Sequence, residues 1–164
     1  RLMDRERFIP ELLCLCRGPF APQCRREGIT THEVIMRHKL DLGTVAPIRR
    51  LIREQEIDIV HTHGVRANLV ARISGRAEGV PIVTTFHSLL RYDYSSTAEA
   101  WVARALTRLT NNRTDRFIAV SGAVKEDLVT MGVPPDKVNV IYNGLDVSLL
   151  VPGDEPATDR KSVV

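Results

Sequence analysis

The sequence predicts a doubly wound α/β domain with a mainly parallel sheet, and three observations support this. Apolar runs of strand length alternate with segments of helical period, which is the order of stacked βα units. Most of these runs are continuously apolar, as in strands that helices cover on both faces. The length of 164 residues, with 43% hydrophobic and 26% charged residues, is typical of one globular domain.

The predicted strands are six short apolar runs between polar or turn-forming segments. The first run is half alternating and the second is shorter, whereas most of the others are continuous, which favours buried positions in the sheet. In chain order the strands cover residues 8–16, 30–36, 57–61, 82–86, 117–120 and 138–142.

Helical periodicity between the strands predicts four helices. Ser96 and Glu99 form the S-x-x-E pattern of a capping box, and Ser121 can cap the last helix, which Gly132 ends. The second helix covers residues 65–76. The apolar faces are Val45, Ile48 and Ile52 in the first helix, Val65, Leu69 and Ile73 in the second, Val102, Ala105, Leu106 and Leu109 in the third, and Val124, Leu128 and Met131 in the fourth.

The composition changes after Leu150, which predicts a domain boundary. Residues 1–150 form the predicted domain, and residues 151–164 indicate a linker and the start of a second, truncated domain. The first four residues have the character of a helix end whose preceding strand and loop are absent. We therefore expect a fragment whose first strand, normally central in such a sheet, is missing.

Charge and cysteine content bear on binding partners and on the cellular compartment. The net charge of +3 is spread among acidic residues, which gives no indication of nucleic-acid binding and leaves peripheral contact with anionic lipid open. No apolar run approaches the ~18 residues that a membrane-spanning helix needs. Cys14, Cys16 and Cys24 are predicted to be buried, reduced thiols. We therefore expect a cytoplasmic protein, with a peripheral position at the inner membrane face as an option.

Polar residues follow the predicted strands, where an open parallel sheet forms its site. His61 and His63 end the third strand, His87 follows the fourth, Ser121 the fifth and Asn143 the sixth. Helix N-termini at this edge favour anions, so we expect a cleft for a polyhydroxylated or phosphorylated ligand.

Each of these residues also has a purely structural interpretation. His61 and His63 are expected to face opposite sides of the strand end, one of them as a packed core imidazole. An H-x-H pair can bind zinc, but no third ligand lies nearby in sequence, so no metal site is predicted. Ser121 could be only a helix cap, and Asn143 with Gly144 only a turn.

Four strings in order carry a family resemblance: Asp58-Ile-Val-His-Thr-His-Gly, Pro81-Ile-Val-Thr-Thr-Phe-His, Phe117-Ile-Ala-Val-Ser and Val140-Ile-Tyr-Asn-Gly-Leu-Asp. Together they resemble the N-terminal, Rossmann-like domain of group 1, family 4 glycosyltransferases of the GT-B fold. The resemblance implies retaining, metal-independent transfer from a UDP- or GDP-sugar to a glycan, a lipid-linked sugar or a small polyol. It implies no cofactor.

The resemblance also implies roles for particular residues. His87 matches the histidine at the reaction centre and is the candidate catalytic residue. His63 and Gly64 match a loop that borders the acceptor cleft, and Ser121 matches a serine that opens a cleft-side helix. Asn143 and Asp146 match a hinge-proximal N-G-x-D.

Two features of the family are absent from this chain, the glycine-rich loop after the first strand and the nucleotide-binding second domain. The fragment alone is therefore expected to be inactive, and its main partner is the missing C-terminal domain. A dinucleotide enzyme is disfavoured because the chain has no G-x-G-x-x-G. A non-catalytic ligand-binding domain remains the alternative.

Overall fold

The computed structural model describes residues 3–38, 40–89 and 96–144. The predicted boundary near residue 151 and the expected start of a second domain lie outside these residues. In chain order the described part contains β1 (Glu11–Cys14), α1 (Phe20–Arg26), β2 (Thr30–Glu33), α2 (Val45–Glu54), β3 (Val60–His63), α3 (Val65–Glu78), β4 (Ile82–Phe86), α4 (Thr97–Thr110), β5 (Arg116–Ala119), α5 (Gly122–Thr130) and β6 (Val138–Val140).

Every strand pair in the described part is parallel, which confirms the predicted fold class. The strands form two sheets, however, where the sequence predicted one. β1 pairs with β2, and the other four strands pair in the order β3-β4-β5-β6. Residues of β1 and β3, among them Leu13 and Val60, line a common cavity of about 610 Å³.

The third strand differs in its bounds from the prediction. It covers Val60–His63, so it starts and ends later than the predicted 57–61. Ile57 donates its backbone N–H to the carbonyl of Ile52 at 3.0 Å and so completes the end of α2. The ladder with β4 begins at Val60. Both His61 and His63 therefore belong to the strand.

Helix α1 was not predicted. Its seven residues bury only Ala21 and Cys24, which is too few apolar positions to establish a helical period. Pro22 is tolerated because it lies in the first turn. The helix packs against the β1–β2 sheet and does not contribute to the strand ends at which the site was predicted.

The cysteine prediction is correct for Cys24 and wrong for Cys16. Cys24 is buried in α1, Cys14 is half-buried, and Cys16 is exposed because β1 ends at Cys14. Burial, followed by the neighbouring Cys16 and Cys24, raises the pKa of the Cys14 thiol. All three thiols are free.

The two predicted serine caps differ in the structure. Ser121 Oγ accepts the backbone N–H of Val124 at 3.2 Å, so α5 has the predicted side-chain cap. Ser96 occupies the N-cap position of α4 as predicted, but its side chain makes no capping hydrogen bond. Gly79 ends α3 with a φ of 73°, a left-handed conformation that glycine adopts without strain.

Among the residues that the structure describes, the core consists of two clusters. One joins α5 to β4, β5 and β6 through Phe86, Phe117, Val124, Leu128 and Val138. The other joins α2 and α3 through Ile48, Ile52 and Val70, with partly buried residues of β1 and β3 packed against them. None of the helices within the described ranges combines the length and the apolar character required to cross a membrane.

Arg72 is the largest fully buried side chain among the described residues. Its Nη1 donates to Thr110 Oγ1 at 2.7 Å, and its guanidinium carbon lies 5.8 Å from the centre of the Phe117 ring. Within the described part of the chain no carboxylate pairs with it. Burial lowers its pKa to about 10, so the charge persists at neutral pH without an acidic partner.

We expect Arg72→Met to be tolerated and Arg72→Ala to be damaging. Methionine retains apolar length and removes a buried charge, and the Thr110 hydroxyl keeps its hydrogen bond to the Leu106 carbonyl. Alanine leaves a cavity beside Phe117, which costs about 2–5 kcal/mol. Chemical denaturation of the parent and the two variants measures the free energy of unfolding of each. An equal loss of stability in both variants would mean that the guanidinium itself stabilises the fold.

Candidate active site

The carboxyl ends of β3 and β4 bring two histidines into direct contact. His63 is the last residue of β3, and His87 follows the last residue of β4. Because the strands are adjacent and parallel, their ends meet at one edge of the sheet. His63 Nδ1 lies 2.9 Å from His87 Nε2, and the rings are stacked with centroids 5.2 Å apart. One of these nitrogens must carry the proton that forms the hydrogen bond, so the pair shares one proton between its facing nitrogens when both rings are neutral.

His61 extends this pair to a row of three imidazoles. Its ring centroid lies 4.5 Å from that of His63, and its Nε2 lies 2.7 Å from Thr85 Oγ1. The expectation that His61 and His63 face opposite sides is therefore wrong. Residues two apart in a strand share a face, and the side chain of Thr62 between them is the buried one.

Gly64 converts the end of β3 into the start of α3. Its φ of 84° and ψ of 150° are unfavourable for a residue with a side chain. The Gly64 carbonyl accepts the N–H of Asn68 at 2.9 Å, which starts the helix. The glycine thus directs the first turn of α3, with its free amides, toward the space beside His63.

Ser121 lies at the same edge of the sheet as His87. The N–H of Val120 donates to the carbonyl of Phe86 at 3.3 Å, so the next residues, Ser121 and His87, follow the ends of adjacent strands. The Ser121 hydroxyl caps α5, which is the structural role considered from the sequence.

Asn143 lies farther from the histidines. It follows β6, two strands away from β4, and its side chain is exposed. The structure therefore does not bring Asn143 into contact with His63 or His87. Asp146, the other residue of the predicted hinge-proximal pair, lies outside the described residues.

A basic cavity beside His63 is lined by residues that were not predicted from the sequence. The cavity has a volume of about 630 Å³, and its polar lining includes Arg37, His38, His63 and Arg66. Asp41 Oδ2 accepts the N–H of Arg37 at 2.9 Å, which fixes the loop that carries Arg37 and His38. The rule that sites follow strand ends could have found them, since Arg37 follows β2 and Arg66 is the second residue after Gly64.

The surroundings of His61 and His63 lower the pKa of both imidazoles. Partial burial is the main cause that lowers the pKa of His61 and of His63. Repulsion from His87 lowers the pKa of both, and repulsion from His61 contributes to the shift at His63. Both residues keep part of their surface exposed, so solvent moderates these effects. A neutral imidazole has one N–H donor and one acceptor nitrogen, which suits hydrogen bonds to hydroxyl groups.

We expect the melting temperature to fall as the pH decreases from about 7 to about 5. The unfolded chain, in which the His pKa is about 6.5, binds protons before the folded His61 and His63 do. Their contribution to stability is therefore complete above the unfolded pKa and is lost as the pH falls toward the folded values. Scanning fluorimetry with a double variant, His61→Gln with His63→Gln, provides the control. An identical pH slope in the parent and the variant would contradict this expectation.

Among the residues that the structure describes, no group of three or more His, Cys, Asp or Glu side chains is arranged to bind a metal ion. His61, His63 and His87 lie close together, but the facing nitrogens of the last two are engaged with each other. The groups that the structure places at this edge include imidazoles, the Thr85 hydroxyl and the guanidinium groups of Arg37 and Arg66.

Comparisons with known proteins agree with this architecture. A curated relative, UDP-Gal:alpha-D-GlcNAc-diphosphoundecaprenol alpha-1,3-galactosyltransferase of Escherichia coli, is 29% identical over 92% of this chain and 41% of its own length. D-inositol 3-phosphate glycosyltransferase of Kribbella flavida is 26% identical over 79% of this chain and 33% of its own. The crystal structure of Anabaena Alr3699/HepE in complex with UDP superposes with a TM-score of 0.67 at 23% identity, covering 84% of this chain and 37% of that one.

The chain spans less than half the length of these relatives. The superposition confirms the α/β fold, and the sequence match confirms the resemblance drawn from the four strings. Residues 4–149 match the profile of Glycosyltransferase Family 4, which includes every described residue from Asp4 onward. The chain therefore belongs to Glycosyltransferase Family 4.

Proposed function

We propose that this chain forms the acceptor-side half of a retaining glycosyltransferase that transfers a sugar from a UDP- or GDP-sugar. The observation that carries the proposal is the hydrogen-bonded pair of His63 and His87 where β3 and β4 end. The name of the Escherichia coli relative includes UDP-Gal, and the HepE structure contains UDP, which supports a nucleotide sugar as the donor.

In this proposal His87 contacts the transferred sugar, and His63 holds the His87 ring in place. A neutral His87 can donate to or accept from a sugar hydroxyl, depending on its tautomer. The hydrogen bond to His63 fixes the orientation of the His87 ring and couples the two tautomers. His63 is therefore a positioning residue, whereas His87 touches the reacting sugar.

The reaction forms a bond between an acceptor hydroxyl oxygen and the anomeric carbon of the donor sugar. The bond from that carbon to the nucleotide diphosphate breaks, and the family resemblance assigns the acceptor proton to the departing phosphate. The chain's own contribution is to orient the two sugars and to exclude water, which can account for several orders of magnitude in rate. No metal ion is required in this proposal.

The C-terminal domain is the proposed partner that supplies the nucleotide site. The proteins compared above are more than twice as long as this chain, which leaves room for such a domain. We place the assembled enzyme in the cytoplasm, where free thiols such as Cys14, Cys16 and Cys24 stay reduced. Contact with the inner membrane face would follow from a lipid-linked acceptor.

The test is a transfer assay with the full-length protein, purified without metal and assayed in a chelating buffer. A panel of UDP- and GDP-sugars is offered with phosphate-bearing sugar and polyol acceptors, and release of nucleoside diphosphate is measured. We expect turnover with at least one donor, unchanged by the chelator, and a product that retains the anomeric configuration by NMR. A protein that binds these sugars but never releases nucleoside diphosphate would be a ligand-binding domain, and the proposal would be wrong.

A further inference from the structure

A set of buried polar side chains lies where α3 packs against the end of α4. Eight of their nitrogen and oxygen atoms are shielded from solvent and have no hydrogen-bond partner among the described residues. Buried polar groups in proteins are almost always hydrogen-bonded, so this concentration of unpartnered atoms calls for an explanation. The atoms belong to five residues, here called the Arg72 cluster: Asn68, Arg72, Thr107, Asn111 and Thr114.

The contacts of Arg72 show that these side chains face a common interface. Arg72 Nη1 donates to Thr110 Oγ1 at 2.7 Å, from α3 to α4. Asn68 precedes Arg72 by four residues and Thr107 precedes Thr110 by three, so each shares the helix face of its neighbour. The turn that begins at Asn111, directly after α4, also packs against α3. The unpartnered atoms therefore come from both sides of one interface.

Arg72 gives the cluster a positive charge. The residue is 1% exposed, and its Nε and Nη2 are among the unpartnered atoms. Asp115, the acidic residue that follows the turn, accepts the backbone N–H of Ile82 at 2.8 Å instead of pairing with Arg72. Burial lowers the pKa of Arg72 to about 10, so the guanidinium stays protonated at neutral pH. A charge in the interior of a protein is costly unless an opposite charge accompanies it.

The cluster is also rich in hydrogen-bond donors. Six of the eight unpartnered atoms are nitrogens or hydroxyl oxygens that can donate, and the other two are the amide oxygens of Asn68 and Asn111. A buried water molecule can satisfy some of these groups, but it leaves the charge of Arg72 uncompensated. A small anion accepts hydrogen bonds from several donors and neutralises the guanidinium. Because every member of the cluster is at most 7% exposed, a monatomic ion suits this position better than a larger anion.

We propose that the Arg72 cluster binds a monatomic anion, with chloride as the physiological ligand. Arg72 holds the ion through Nε and Nη2, and the remaining hydrogen bonds come from the amide and hydroxyl groups of Asn68, Thr107, Asn111 and Thr114. The ion joins α3 to the end of α4 and supplies the negative charge that accompanies the guanidinium. This binding site does not depend on the proposed function.

The chloride dependence of stability, compared between the full-length protein and its Arg72→Met variant, tests the proposal. Potassium chloride replaces potassium gluconate stepwise at constant ionic strength, so that general salt effects act on both forms alike. We expect the melting temperature of the parent to rise by several degrees relative to that of Arg72→Met over a hundredfold increase in chloride. The reason is that a ligand of the folded state alone stabilises it with the logarithm of ligand concentration. A difference between the two forms that is independent of chloride would overturn the proposal.

Two further variants show which groups hold the ion. Arg76→Met is the matched control, because Arg76 lies one turn later on α3 and is exposed. Its melting temperature should depend on chloride as that of the parent does. Thr107→Val removes one hydroxyl donor at nearly constant shape and should weaken chloride affinity about tenfold, which keeps the test decisive if Arg72→Met does not fold. Loss of the chloride effect in Arg76→Met to the same extent as in Arg72→Met would contradict binding at the cluster.

Crystals of the full-length protein grown in bromide locate the ion through the anomalous scattering of bromine. We expect a bromine peak within hydrogen-bond distance of Arg72 Nε and Nη2. In solution, the parent protein should broaden the chloride NMR line more than Arg72→Met does. A protein carboxylate beside Arg72, or water molecules without bromide, would show that the proposal is wrong. Neither measurement involves sugar transfer, so each result is separate from the outcome of the transfer assay.

Discussion

Replacement of His87 by alanine in the full-length protein is expected to lower turnover about 100-fold while the melting temperature changes by only a few degrees. His87 follows β4 and is exposed, so its loss removes little packing. Among the described residues its side chain hydrogen-bonds to His63, which is itself exposed. Loss of His87 is therefore expected to lower turnover strongly and stability only slightly.

Steady-state kinetics and scanning fluorimetry on the same preparations test this expectation. His63→Ala should cause a smaller loss, mainly as a raised KM for the acceptor, because the family resemblance matches His63 to the loop that borders the acceptor cleft. His32→Ala is the matched control, since His32 pairs with Glu11 at 2.7 Å on the β1–β2 sheet. A well-folded His87→Ala enzyme with near-normal turnover would assign His87 a structural role.

Residues 1–164 alone are expected to show no sugar transfer and no useful affinity for a nucleotide sugar. Holding donor and acceptor together can supply about 7–11 kcal/mol of a reaction barrier, and one wall of a cleft cannot do so. The nucleotide contacts are proposed to lie on the C-terminal domain, whereas this half carries the imidazoles and the basic cavity.

Calorimetric titration of the 164-residue chain with millimolar UDP- and GDP-sugars measures its affinity for nucleotide sugars directly. A turnover assay beside it measures sugar transfer. The full-length protein under the same conditions is the positive control, and circular dichroism verifies that the short chain is folded. Micromolar binding of either donor to the folded short chain would place a nucleotide site in this domain and would contradict its assignment to the acceptor side.

The sequence predicted the fold class because parallel strands covered by helices have a continuous apolar pattern. That pattern identified all six strands in the described part of the chain, and register then placed His63 beside His87. It could not locate α1, whose two buried residues establish no period. The bounds of β3 also required knowledge of tertiary contacts, since Ile57 completes the end of α2 through its backbone.

The candidate site was only partly predictable. The position of a residue after a strand is visible in a sequence, which is why His63, Gly64, His87 and Ser121 could be selected. Whether two loops converge is set by strand order, and that order separates Asn143 from the histidines. Arg37 and Arg66 come together only through the packing of the loop after β2 against the start of α3.

Strands β1 and β3 do not pair with each other, and this affects how the protein behaves in solution. Each of these strands has one neighbour among the described strands, so the backbone groups along its other side have no strand partner there. Such edges template the addition of strands from other molecules, and concentrated solutions of the isolated chain are therefore prone to intermolecular β-aggregation. A fusion that supplies a strand with alternating valine and threonine at the amino terminus would occupy both edges at once and suppress this self-association.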